Sequence, residues 1–224
     1  MVKTDAQTPR ERYRTQVRAE IKAHAWEQIA TAGASALSLN AIARQMGMSG
    51  PALYRYFASR DELITELIRE AYRSLADTLR TASATGADPA DLAGLAHALR
   101  GWALEDPQRY FLIYGTPVPG YHAPEDITGI SDEIMKTLLD ACAALTPDGP
   151  ATSFSAHLED HLEDHRDWAG DHLAPPAALH RALAFWTRLH GVLSLELAGH
   201  FTNMGFDPAV FFTAELDGLL THRA

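Results

Sequence analysis

Residues 47–63 read GMSGPALYRYFASRDEL. Two glycines and a proline crowd the start of this stretch, Tyr-Arg-Tyr follows, and a long helical pattern begins at Ser59. Such a stretch is either a loop running into a helix or a short helix whose first turn must approach something closely. Ser49 is a natural N-cap, and Gly50 and Pro51 fall in the first turn. There a missing N–H costs little, and small side chains with Ala52 leave the positive helix end open to phosphate. The spacing predicts a helix over 49–57. At about 100° per residue, Leu53 and Phe57 share the buried face and Arg55 falls nearly opposite, flanked by Tyr54 and Tyr56. An outward arginine can read a guanine edge, and tyrosine hydroxyls can reach phosphate oxygens. An exposed arginine on an ordinary surface helix would show the same wheel.

The flanks decide between these readings. Upstream, ALSLNAIARQMG (36–47) predicts a helix over 38–46, capped by Ser38 and stopped at Gly47. Before it, Val17, Ile21, Ala25 and Ile29 repeat at helical spacing within 10–32, and Gly33 is a natural C-cap. A longer helix followed by two short ones across a glycine turn is a helix-turn-helix. Downstream, Ser59 and Glu62 form a capping-box pair ahead of Leu63, Leu67, Ala71, Leu75 and Leu79.

Helical patterns resume at 90–104, 107–114, 125–145, 175–200 and 207–221, with turn-rich sequence at 84–91, 115–124 and 146–153. No strand-like alternation and no GxGxxG or Walker sequence interrupts them. The expected fold is all-α with about nine helices: a three-helix DNA-binding domain over 1–58, then a larger helical domain over 59–224.

Composition narrows the setting. The chain is 46% apolar, yet no stretch approaches the ~20 apolar residues a bilayer span needs, and the polar N-terminus has no secretory h-region. The single cysteine, Cys142, excludes an internal disulfide framework. These features predict a soluble, cytoplasmic protein without membrane partners. The net charge of −10 is uneven. Residues 1–60 hold nine Lys/Arg against four acids, and the remaining 164 hold ten against 25. A basic head on an acidic body suggests two modules, of which polyanions attract only the first.

LSLNAIARQMGMSGPALYRYFASRDELI resembles the DNA-binding domain of TetR-like transcriptional regulators, through its apolar-Tyr-x-aromatic-Phe run followed by a basic residue and an acidic-Leu pair. The resemblance covers roughly residues 12–70. It implies DNA contacts from Ser38, Ser49, Pro51, Ala52, Tyr54, Arg55 and Tyr56, and a phosphate contact from Arg60, which stands where many relatives carry Lys. Trp186, His190 and Gly191, in FWTRLHG, together with WALEDPQRYFLIYG (102–115), resemble the WHG-type C-terminal domain of one TetR branch. That likeness implies a helical effector domain with a central pocket.

Trp102, Tyr110, Phe111, Tyr114, His122, Phe185, Trp186 and His190 are the aromatics expected to line it, since Tyr, Trp and His supply both apolar and polar contact. Each could equally be core. The last two helices are apolar over more than one stripe, so Leu189, Leu193, Leu197, Phe211, Phe212, Leu216 and Leu219 are expected in a two-fold interface, unless the chain covers both faces itself. In AHLEDHLEDHRDWAGDHL (156–173), His157, His161 and His165 would share one face of a helix. Pairs of His at i, i+4 can bind Zn²⁺ or Ni²⁺, but a solvated acidic helix or loop fits as well, and HLEDH lacks the Glu that HExxH requires.

The expected function is a dimeric one-component regulator, a repressor by the resemblance, that binds a pseudo-palindromic operator and is released by a small-molecule effector. No cofactor and no enzymatic activity are expected. The alternatives are a metal-responsive regulator or metal-dependent enzyme using 157–172, and a regulator whose C-terminal domain contacts another protein.

Overall fold

A computed structural model describes residues 8–86, 91–122, 124–145 and 153–221. Among these, every regular element is helical. The order is α1 (Pro9–Ala32), a 3-10 turn (Ala34–Ala36), α2 (Leu39–Gln45), α3 (Gly50–Leu53), α4 (Arg60–Thr85), α5 (Leu92–Glu105), α6 (Pro107–Tyr114), α7 (Glu125–Ala144), α8 (Ser153–Asp164), a second 3-10 turn (Asp167–Ala169), α9 (Pro176–Leu197) and α10 (Pro208–Thr221). Of the turns expected at 84–91 and 146–153, residues 87–90 and 146–152 lie outside the described residues, and α4 extends through Thr85 into the first. No helix among the described residues is long and apolar enough to cross a membrane.

Helix ends follow local chemistry. Gly33 takes φ 77° and returns its N–H to Ile29, ending α1. Ser38 caps α2 by accepting the N–H of Ala41. Gly47, at φ 65°, closes a Schellman turn in which Met48 N–H reaches the Ala43 carbonyl and Gly47 N–H reaches that of Arg44. Two cap details differ from the sequence reading. A full capping box stands at Thr8 and Glu11, before α1. At Ser59 the box is displaced: Glu62 N–H donates to Ser59 Oγ, but the Glu62 carboxylate takes the N–H of Ala58.

The chain forms two compact units. One comprises the residues up to Ala71 with Gln108–Pro124, and the other Tyr72–Pro107 with Glu125 onward. Helix α4 therefore contributes to both. In the first unit Ile21 and Ala25 of α1, Ile42 of α2, Leu53 and Phe57 around α3, and Leu63, Ile64 and Leu67 of α4 are fully buried. In the second, α9 packs on α7, α8 and α10, and α5 packs on α7, α9 and α10. Leu99, Leu139, Leu179, Leu189, Leu193 and Phe212 fill that core.

Candidate nucleic-acid interface and regulatory domain

Four residues of helix cannot hold themselves together in water, because nucleation costs more than one turn of hydrogen bonds returns. Helix α3 is held by what it buries. Leu53 and Phe57 are both 0% exposed, each gaining about 1.5–3 kcal/mol from burial. The helix expected over 49–57 ends at Leu53, and tight turns carry the chain on: Tyr56 N–H meets the Leu53 carbonyl at 2.8 Å. The directions on the wheel survive this shortening. Arg55 is exposed, Tyr54 is 45% exposed and Tyr56 is half-buried.

Arg18 explains how a non-helical segment keeps its place. From α1 it donates to the Tyr56 carbonyl, its guanidinium lies 4.0 Å over the Phe57 ring, and Glu62 and Glu66 sit at 3.9 and 4.0 Å. Tertiary contact substitutes for the missing last turns of α3. Spacing alone gave no sign of this contact, which crosses 38 residues.

The remaining candidates divide by what they already do inside the unit. Ser49 is exposed, and its side chain makes no cap bond. Pro51 is exposed and Ala52 half-buried. A Cβ on Gly50 would meet only Asn40 Oδ1, at an ordinary 3.5 Å, so packing within the unit does not demand glycine there. Ser38 is half-buried, capping α2 while its own N–H donates to Gln28 Oε1. Arg60 is more committed. Its guanidinium donates to the carbonyls of Leu37, Ala34 and Ser35, tying the 3-10 turn to the start of α4. Arg10, Arg12, Arg14 and Arg44 are exposed and extend the positive surface.

The aromatic candidates for an effector pocket belong to both units. In the first, Tyr110 is fully buried, with the Phe111 and Tyr114 rings 5.6 and 5.4 Å away, and His122 is exposed. In the second, Trp102 is buried and its indole N–H donates to Ser74 Oγ at 3.1 Å. Phe185 is buried there, and the Trp186 and His190 rings lie 4.2 Å apart. Burial pulls the His190 imidazole down to about 4, so it is neutral at physiological pH. Cys142 is buried, with its thiol pushed up to about 12, and is inert as a nucleophile.

Of the residues expected in a two-fold interface, Leu189, Leu193, Phe212, Leu216 and Leu219 are buried inside the second unit. Leu197 is half-buried and Phe211 is 38% exposed. The apolar side chains left open nearby are others: Leu195, Met204, Phe206, Val210 and Leu220. The histidine row is broken as well. Helix α8 ends at Asp164, so His165 lies beyond it, stacked on His161 at 4.2 Å with Nδ1 on the His161 carbonyl, while His157 is exposed. Among the described residues no group of three or more His, Cys, Asp or Glu could hold a metal ion.

The family model for "Bacterial regulatory proteins, tetR family" matches residues 21–67, and that for "Tetracyclin repressor-like, C-terminal domain" matches 92–219, more than half of the chain. The chain belongs to the TetR family. It is 39% identical over 215 residues to the HTH-type transcriptional regulator Rv1816 of Mycobacterium tuberculosis, covering 90% of each chain. A crystal structure of SCO4313, a protein assigned a regulatory role, is 72% identical, with a TM-score of 0.85 over 96% of this chain and 100% of that one. A protein of unknown function from Rhodococcus sp. RHA1, 20% identical, shares the fold alone, with a TM-score of 0.66 over 98% and 97% of the two chains. This TetR-family protein is a transcriptional regulator with a helix-turn-helix DNA-binding domain, not an enzyme. The reading of 157–172 as a metal-dependent catalytic or sensing centre is accordingly set aside.

Proposed function

We propose that this protein is a dimeric repressor that reads a pseudo-palindromic operator and leaves it when a small organic effector binds the helical body. Residues 1–58 carry the DNA contacts, and 59–224 carry effector binding and dimerisation. One observation carries the reading: Arg55 and Tyr54 stand exposed on a segment whose two ends, Leu53 and Phe57, are locked into the core. A surface arginine with no reading role needs no such fixing. Arg55 reads a base edge in the major groove, and Ser49, Tyr54 and Tyr56 hold phosphates around it.

A dimer is favoured because one short recognition element reads too few bases for useful specificity. The exposed side chains Val210, Phe211 and Leu220 on α10 and Leu195 on α9 supply apolar surface for a second copy. Action on chromosomal DNA places the protein in the cytoplasm.

Selection of bound DNA from a random pool, with salt controls, tests this. An inverted repeat with half-sites about one helical turn apart is expected. Arg55→Ala should cost about 1–3 kcal/mol at one base position while leaving the oligomeric state unchanged. Selection of the same repeat with equal stringency by Arg55→Ala would remove Arg55 from the reading role.

A further inference from the structure

We propose that the second unit holds an aromatic organic cation in the groove between α7 and the segment 167–173. The inference deepens the effector reading above and rests on it for its regulatory consequence only. The groove encloses about 710 Å³, within the range of cavities that take drug-sized molecules. Gly129 and Met135 of α7 form one side, and Trp168 and Leu173 the other. Leu173 is 93% exposed, an aliphatic side chain left open at the lip. Nothing lies within 4 Å of where a Cβ on Gly129 would stand, so the wall there is recessed.

The charges around the groove give it a sign. Its lysine is paired: Lys136 binds Asp140, a carboxylate outside the lining, at 3.0 Å, and His172 Nε2 shares that carboxylate at 2.9 Å. Of its three acids, Glu133 holds Arg73 in a two-pronged pair at 2.6 and 3.2 Å. Asp132 and Asp171 have no ion pair among the described residues. Two exposed carboxylates without an ion pair, beside Trp168 and an open leucine, suit a molecule that is apolar, aromatic and positively charged. A neutral molecule of the same shape would gain nothing from the two carboxylates, and an anion would be repelled by them.

Glu133 gives the groove a line to α4. Its carboxylate belongs to the wall and also clamps Arg73, on the helix that begins at Arg60. A bound cation competes with Arg73 for it, so ligand binding and the Arg73 clamp oppose each other.

Calorimetric titration of the DNA-free protein with tetraphenylphosphonium and with tetraphenylborate tests the proposal, since the two ions share a shape and differ in sign. The phosphonium is expected to bind once per chain, at least tenfold tighter than the borate. Asp132→Asn with Asp171→Asn should weaken it at least tenfold, and Gly129→Leu should block it by filling the recess. Arg73→Gln should tighten it several-fold by freeing Glu133. Absence of phosphonium binding, equal binding of the two ions, or unchanged binding in the double Asn variant overturns the site; unchanged binding in Arg73→Gln overturns the competition. The operator selection uses no ligand, so its failure is separate. If the phosphonium binds but leaves operator occupancy unchanged, the groove is a ligand site and its part in release is refuted.

Discussion

Replacing His190 by Gln should flatten the acid side of the stability profile. The imidazole titrates at about 4 in the folded chain against 6.5 for the free side chain, because burial disfavours its charged form. Between those values the unfolded chain binds the proton more tightly, so stability is complete above 6.5 and is lost progressively as pH falls to about 4. Each unit of difference is worth about 1.4 kcal/mol, and at about pH 5 roughly one and a half units have been spent, or about 2 kcal/mol. Urea unfolding at about pH 7 and about pH 5 measures it: with a slope near 2 kcal/mol per M, the wild-type midpoint should fall by roughly 1 M more than that of His190→Gln. Subtracting the variant removes the other titrating groups. If the two midpoints fall in parallel, His190 is not protonated on unfolding and its burial as a neutral ring is wrong.

Arg60→Met should lower stability by about 2 kcal/mol, because three carbonyls lose a charged donor. An arginine serving phosphate alone would leave the unfolding midpoint in place. Gly47→Ala should cost about 1 kcal/mol at the left-handed position that joins α2 to α3, measured by the same unfolding curves. The Arg100–Glu196 pair is largely buried, at 2.5 Å, and among the described residues Arg100 Nε and Glu196 Oε2 have no hydrogen-bond partner. Arg100→Met alone should cost about 3 kcal/mol by stranding the carboxylate, and Arg100→Met with Glu196→Leu should recover most of it.

Local chemistry was readable from the chain. Ser38, Gly33 and Gly47 act through their own and adjacent backbone, and Val17, Ile21, Ala25 and Ile29 declare a buried stripe by spacing alone. What depends on distant residues was not. Periodicity extends α3 to residue 57, whereas the chain leaves the helix at Leu53 and is held by Arg18 from α1. Leu189 and Phe212 look available for a partner because an apolar residue does not say which neighbour covers it, and here their own unit does. The groove was hidden for the same reason: Trp168 and Leu173 stand in a stretch dominated by acids and histidines, and its significance needs α7 opposite.

The separation between what anchors the Tyr-Arg-Tyr segment and what it presents has a bearing on descent. Leu53 and Phe57 are confined to apolar side chains of similar size by the core they fill, while Tyr54 and Arg55 lie on the exposed side of the segment. If Tyr54 and Arg55 read DNA as proposed, a duplicated gene can exchange these outward letters one at a time, acquiring a new address on the chromosome without passing through an unstable intermediate.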